Sequence, residues 1–172
     1  AGAGTGSANP TVFKEESEAR ADKLLAEGMA GQASYLSGTT RIRFKEKDPT
    51  GWDEFARLFS EHSAQGSANT LKGYQARRPT LYSREEEFAR MDVPTLVIVG
   101  DEDDPCLEPA LFLKRTLPRS GVLMLPQTGH ACNLEEPDRF NHGMAEFLAQ
   151  VEANRWAPRS EGSGDSWSIV KA

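Results

Sequence analysis

Residues 93–104 read Val93-Pro-Thr-Leu-Val-Ile-Val-Gly100-Asp-Glu-Asp103-Asp104, and their interpretation decides the fold. Pro94 to Val99 is a short unbroken apolar run, rich in β-branched residues and closed by a glycine. A half-solvated strand would alternate apolar with polar residues, whereas this run has the pattern of a parallel strand buried on both faces. Working outward, a helix is predicted from about Glu108 to Thr116, with Pro118 beyond it, and Val122-Leu-Met-Leu125 is a second buried strand. A long helix from about Pro137 to Asn154 follows. Strand, helix, strand, helix is a βαβα unit whose crossover is expected to be right-handed. Two such strands are not a stable sheet alone, so their expected neighbours lie outside this sequence.

Upstream of Val93 the character is helical. The opening Ala1-Gly-Ala-Gly-Thr-Gly-Ser-Ala-Asn9-Pro10 reads as a loop leading into a helix capped near Asn9. Its glycines, Gly2, Gly4 and Gly6, invite comparison with a phosphate-cradling loop, but no strand precedes them and no Lys-Ser/Thr follows. The first helix spans about Thr11 to Gly28, with Phe13, Ala19, Leu24 and Leu25 among charged residues. An irregular stretch containing Thr39-Thr40 comes next, and Asp48-Pro49 then starts a second helix with Trp52, Phe55, Leu58 and Phe59 on one face. A third helix runs from about Ser63 to Ala76 and a short fourth from Ser83 to Arg90, with Pro79 as the breaker between them. The organisation is therefore an N-terminal loop and helical region (1–92), an α/β core (93–156) and a polar, glycine-rich tail (157–172) expected to be flexible.

Composition narrows the function. The 172 residues suffice for one domain, although an apolar fraction of 38% is low for that size. Acidic residues outnumber basic ones by 26 to 20, for a net charge of -6, and the cations are scattered instead of forming a stripe, which argues against nucleic acid as a partner. The longest apolar stretch, around Leu96 to Val99, falls far short of the roughly 20 residues that span a bilayer, so no membrane partner is expected. Cys106 and Cys132 form no disulfide framework, no spacing offers a metal site, and both read as reduced packing residues. No signal peptide is visible, and the default location is cytoplasmic.

In a parallel sheet, chemistry sits just beyond the carboxyl ends of the strands. The first strand is followed by carboxylates, Asp101, Glu102, Asp103 and Asp104; the second by Pro126-Gln-Thr-Gly129-His130. A catalytic histidine needs a carboxylate on one ring nitrogen while the other faces a nucleophile, and adjacent loops at one sheet end can bring such a pair together. Gly129 allows the tight turn from which the imidazole projects. His62, at a helix end, and His142, on the last helix, have no partner legible in the sequence.

These residues resemble the lidded, single-domain α/β-hydrolase fold family. The likeness lies in Val93 to Asp103, similar to the family's acid-bearing strand and turn, and in Gly129-His130 with Asn133-Leu-Glu-Glu-Pro137 and Phe140, similar to its histidine loop and final helix. It covers about Val93 to Trp156, and the helices before Val93 look like the family's lid. The resemblance implies an α/β fold: a C-terminal part of the hydrolase sheet preceded by a helical lid. It places the triad acid at Asp103 in a Gly-x-x-Asp pattern, with Asp104 the chief competitor and Asp101 and Glu102 solvated. His130 is implied as base and then acid. No metal or organic cofactor is implied. Trp52, Phe55, Phe59, Leu71 and Tyr74 are candidates to line a substrate pocket, with packing the plainer reading for each.

One family element is missing. No Gly-x-Ser-x-Gly elbow, nor an Asp in the serine's place, follows a strand into a helix. Ser7 and Ser67 each follow a glycine and Ser163 lies between two, but none follows a predicted strand. The oxyanion hole is missing too. The economical expectation is a hydrolase of ester-like small molecules whose nucleophile lies in an N-terminal half or a second chain, leaving this chain inactive by itself. The choice among esters, haloalkanes, epoxides and carbon-carbon bonds stays open. The alternative is a non-catalytic interaction module derived from a hydrolase, whose open sheet edge requires a dimer or a complex.

Overall fold

In the computed structural model, residues 5–36 and 38–160 are described. Among the described residues, the regular elements of the N-terminal region are helices, with a single parallel bridge from Thr5 to Thr80. Helix α1 (Pro10–Glu27) starts where the side chain of Asn9 accepts from the Val12 amide, with proline in the first turn. It packs against α5 through a small core of Ala21, Leu24 and Ala68, α5 being Ala64–Gly73 capped by Ser63. Helix α4 (Pro49–Ser60) is capped by Asp48, as the Asp-Pro signal predicts. The chain ends this region with a 3₁₀ turn at Leu81–Arg84 and the short helix α6 (Glu85–Ala89). Leu81 and Phe88 lock onto Leu117 of the α/β unit, forming a second small core with Phe112 and Leu113 around it.

The stretch expected to be irregular is not. A 3₁₀ turn (Gly28–Gln32), α2 (Ala33–Leu36) and α3 (Thr39–Lys47) fill it. The sequence Thr-Thr-Arg-Ile-Arg-Phe-Lys-Glu-Lys carries too few apolar residues to show a helical stripe, and α3 is held by long-range contacts instead. Phe44 is buried edge-on against Trp52 and Phe55, and Phe55 stacks on Phe59. That cluster is what the aromatic face of α4 packs against; Leu58, expected on the same face, is 46% exposed.

The α/β unit follows the expected order. Strand β1 (Thr95–Gly100) pairs in parallel with β2 (Ser120–Leu125), in register Thr95 with Ser120 through Gly100 with Leu125. Helix α7 (Asp104–Thr116) begins four residues earlier than predicted: Pro105 occupies its first turn and Pro109 is carried inside it. Helix α8 (Cys132–Glu135) is a single turn after the histidine, and α9 is Pro137–Glu152. The strands were expected to be buried on both faces. Only Val99 and Gly100 of β1 and Leu125 of β2 are, and Met124 is 42% exposed, because two strands cannot cover each other's outer edges. Of the tail, residues 157–160 lack regular structure, with the Arg159 amide donating to the Pro118 carbonyl. Residues 161–172, including Ser163, lie outside the described residues, as do Gly2 and Gly4. Among the described residues no helix is long and apolar enough to cross a membrane.

Candidate active site

The carboxyl ends of β1 and β2 lie side by side, because the strands are parallel and directly paired. Asp103 sits three residues past the end of β1 as the N-cap residue of α7, and His130 sits five past the end of β2. They meet: His130 Nδ1 lies 2.7 Å from Asp103 Oδ2. An ionised carboxylate can only accept, so Nδ1 carries the hydrogen and donates it, leaving the Nε2 lone pair available in the neutral ring. Asp103 is 4% exposed overall, while the His130 side chain keeps 42% of its surface open. Burial alone pushes the Asp103 carboxyl up. The hydrogen bond from His130, the Cys106 thiol and the positive charge of Arg41 outweigh that and hold it below the usual carboxylate range.

The rival carboxylates have other duties. Asp104 is exposed as the first residue of α7. Asp101 and Glu102, expected to be solvated, are both engaged. Asp101 Oδ1 accepts from the Thr128 amide at 3.2 Å, tying the acid loop to the histidine loop. Glu102 takes both ends of the Arg43 guanidinium, at 2.5 and 2.7 Å, so a helix of the N-terminal region grips the residue next to Asp103. That contact lowers the Glu102 carboxyl and raises Arg43.

The histidine loop is set by contacts invisible in the sequence. The buried carboxylate of Glu135 accepts from the amides on both sides of His130: Gly129 at 2.7 Å and Ala131 at 3.1 Å. The His130 amide itself donates to the Thr40 carbonyl of α3 at 2.7 Å. Lys47, at the end of α3, reaches Glu136 at 2.5 Å and the Thr128 hydroxyl at 3.4 Å. Gly129 is required for closeness, since its φ is not in the left-handed region: a Cβ there would strike the Thr40 carbonyl oxygen. Gly100 has the same reason, its missing Cβ making room for the Thr128 and Gly129 carbonyls. The left-handed residue of this loop is Gln127, at φ 53°.

Cys106, one helical turn after Asp103, places Sγ 3.9 Å from His130 Nδ1. Burial and the adjacent Asp103 carboxylate push this thiol up to about 12, and it faces the ring nitrogen already committed to Asp103, so it is no activated nucleophile. Ser7 donates its hydroxyl to the Asn9 carbonyl, and Ser67 lines a separate cavity of about 490 Å³ bounded by α1, α2, α4 and α5. That cavity is also lined by Phe59 and Leu71, two of the predicted pocket residues, and by His62, which packs on Phe59. Trp52 and Phe55 serve the aromatic core, while Tyr74 is 55% exposed with Arg78 near its ring. His142 is exposed on α9.

Residues missed by sequence reasoning are thus Glu135, Thr40, Arg43, Lys47 and Cys106. Only Cys106 carried a signal, its three-residue spacing from Asp103, which puts both on one side of a helix start. Nothing local separates the buried Glu135 from the salt-bridged Glu136.

The same architecture occurs in known proteins. The chain is 34% identical over 87 residues to a putative 2-succinyl-6-hydroxy-2,4-cyclohexadiene-1-carboxylate synthase of Bacillus subtilis, a match covering 50% of this chain and 31% of that protein. It is 32% identical over 83 residues to the putative protein-lysine deacylase ABHD14B of Rattus norvegicus, covering 47% of this chain and 39% of the relative. The structure of MenH from S. aureus superposes with a TM-score of 0.77 at 22% identity, covering 84% of this chain and 54% of that one. No family model matches. The chain has the α/β-hydrolase fold, and its matches span about a third of the length of these curated relatives.

Proposed function

We propose that this chain contributes the acid and the base of a hydrolase acting on ester-like small organic molecules, with Asp103 orienting His130. The observation that carries the reading is the 2.7 Å contact between Asp103 Oδ2 and His130 Nδ1, which leaves Nε2 on the open side of the ring. His130 would take a proton from an incoming hydroxyl nucleophile and return it to the leaving group, and the buried carboxylate would stabilise the imidazolium between those steps. The nucleophile and oxyanion donors would come from residues outside these 172, since among the described residues no serine stands in a strand-to-helix elbow. The helical region 1–92 acts as lid, and its α3 contacts give it a direct hold on both catalytic loops. The exposed Met124, Met144 and Leu148 are consistent with a covering partner, the front half of the hydrolase or a second chain.

The test is hydrolysis of p-nitrophenyl esters. The chain alone is expected to turn over no faster than its His130→Ala variant. Combined with an α/β-hydrolase front half carrying a Gly-x-Ser-x-Gly elbow, it should gain turnover that His130→Ala and Asp103→Asn each reduce by about 10³-fold or more. Histidine-dependent burst kinetics from the chain alone would overturn the placement of the nucleophile. Turnover in the combined protein that ignores both variants would overturn the acid-base assignment.

A further inference from the structure

Asp103, Cys106 and His130 bring an oxygen, a sulfur and a nitrogen ligand atom within 4.8 Å of one another. We propose that this corner binds a soft divalent cation, Zn²⁺ being the type, and that the ion switches the acid-base pair off. A mixed carboxylate, thiolate and imidazole set suits zinc and not magnesium or calcium, which prefer oxygen alone. Around tetrahedral zinc, with bonds of about 2.0 to 2.3 Å, ligand atoms are spaced about 3.4 to 3.6 Å. The observed spacings, 2.7 Å from Nδ1 to Oδ2 and 3.9 Å from Nδ1 to Sγ, straddle that value. With all three ligand atoms within 4.8 Å of one another, side-chain shifts on the order of 1 Å bring them into position, leaving a fourth place for water.

A second observation points the same way. The Asp103 side chain is 6% exposed, and its Oδ1 accepts no hydrogen bond of ordinary geometry among the described residues, the Cys106 thiol being the neighbouring donor. A buried carboxylate oxygen without a donor is uncommon and costly, and a cation held by both Asp103 oxygens would satisfy it. The charge opposing such an ion is Arg41, whose guanidinium is engaged with the Tyr35 hydroxyl and ring. It places the affinity below that of a structural zinc centre.

The proton balance explains the switching. Without metal, Nδ1–H donates to Asp103 and Nε2 holds a lone pair. A zinc ion on Nδ1 displaces that hydrogen, Nε2 takes one up, and the ring stays neutral. Cys106 loses its thiol proton to become a ligand, so one proton is released overall for each ion bound. An imidazole with metal on one nitrogen and hydrogen on the other cannot accept a proton from a nucleophile. Binding requires nothing of the hydrolase reading; inhibition rests on it.

The test titrates the 172-residue chain with ZnCl₂ by calorimetry in two buffers of different ionisation enthalpy, and with CoCl₂ by absorption. One ion per chain, one proton released and a thiolate-to-cobalt charge-transfer band are expected. Cys106→Ser, nearly isosteric, should remove the band and weaken binding at least about tenfold; Asp103→Asn should weaken it similarly; Cys132→Ser should change neither. A band that survives Cys106→Ser, or binding indifferent to both ligand substitutions, refutes the site. If zinc binds as described yet the combined hydrolase keeps its His130-dependent turnover, the switch is refuted while the acid-base assignment stands.

Discussion

Helices α1 and α9 are of similar length, 18 and 16 residues, and the sequence gives α9 the cleaner apolar stripe, through Phe140, Met144, Phe147, Leu148 and Val151. Yet α1 buries Ala21 and Leu24 almost completely, at 0% and 2%, while α9 buries no residue fully and leaves Met144 and Leu148 at 40% and 48%. What differs is the partner. Helix α1 lies along α5, its weak stripe met by the small side chain of Ala68. Helix α9 packs on the two strands of the described residues, touching them at Gly143 over Leu123, with Phe147 edge-on to Trp156. Amphipathic strength therefore measures how much surface a helix offers, and the neighbouring elements decide how much is used.

That contrast can be broken by substitution. The largest effect is expected from Leu24→Ala, which opens a cavity in the α1–α5 core and should cost about 2 to 4 kcal/mol in urea denaturation. Leu148→Ala should cost only about 0.5 kcal/mol in this chain and rise towards the core value once a front half covers α9. Equal costs for the two in the isolated chain would show that α9 is already packed.

The histidine corner behaves like a core made of hydrogen bonds, and Glu135 is its centre. Glu135→Ala strands the Gly129 and Ala131 amides, and a loss on the order of 3 kcal/mol is expected, with Glu136→Ala much milder. A stability scan showing the two alike would refute the assignment of Glu135 as the residue that holds the loop.

The depressed Asp103 carboxyl gives a pH signature. Because its folded value lies below its unfolded one, the stabilisation is present above the unfolded value, near pH 4, and is lost as the pH falls through the folded value. Wild type should exceed Asp103→Asn by about 1 kcal/mol at pH 7, with the gap closing under acid conditions. A gap that persists unchanged at pH 2 would mean the benefit is packing and not ionisation. The smallest effect belongs to Gln127, in the left-handed region at φ 53°. Gln127→Gly should be neutral or raise the melting temperature slightly, within about 1 kcal/mol, strain relief being partly offset by backbone entropy.

What could be read from the sequence was local. The Asn9 and Asp48 helix starts, the β-branched run of β1 and the Gly-x-x-Asp and Gly-His turns each depend on a few consecutive residues whose hydrogen bonds and sterics act within the segment. The proximity of Asp103 and His130 was legible too, since two parallel strands joined by a helix must end side by side. Tertiary structure alone decided α3, which has no apolar stripe and exists because Phe44 enters the α4 aromatic cluster and Arg43 meets Glu102. It also chose Glu135 over Glu136 for burial, and joined Cys106 to a histidine 24 residues away. Charged side chains look alike along a chain. Which of them is buried, paired or left in water depends on long-range neighbours, and no local pattern encodes that choice.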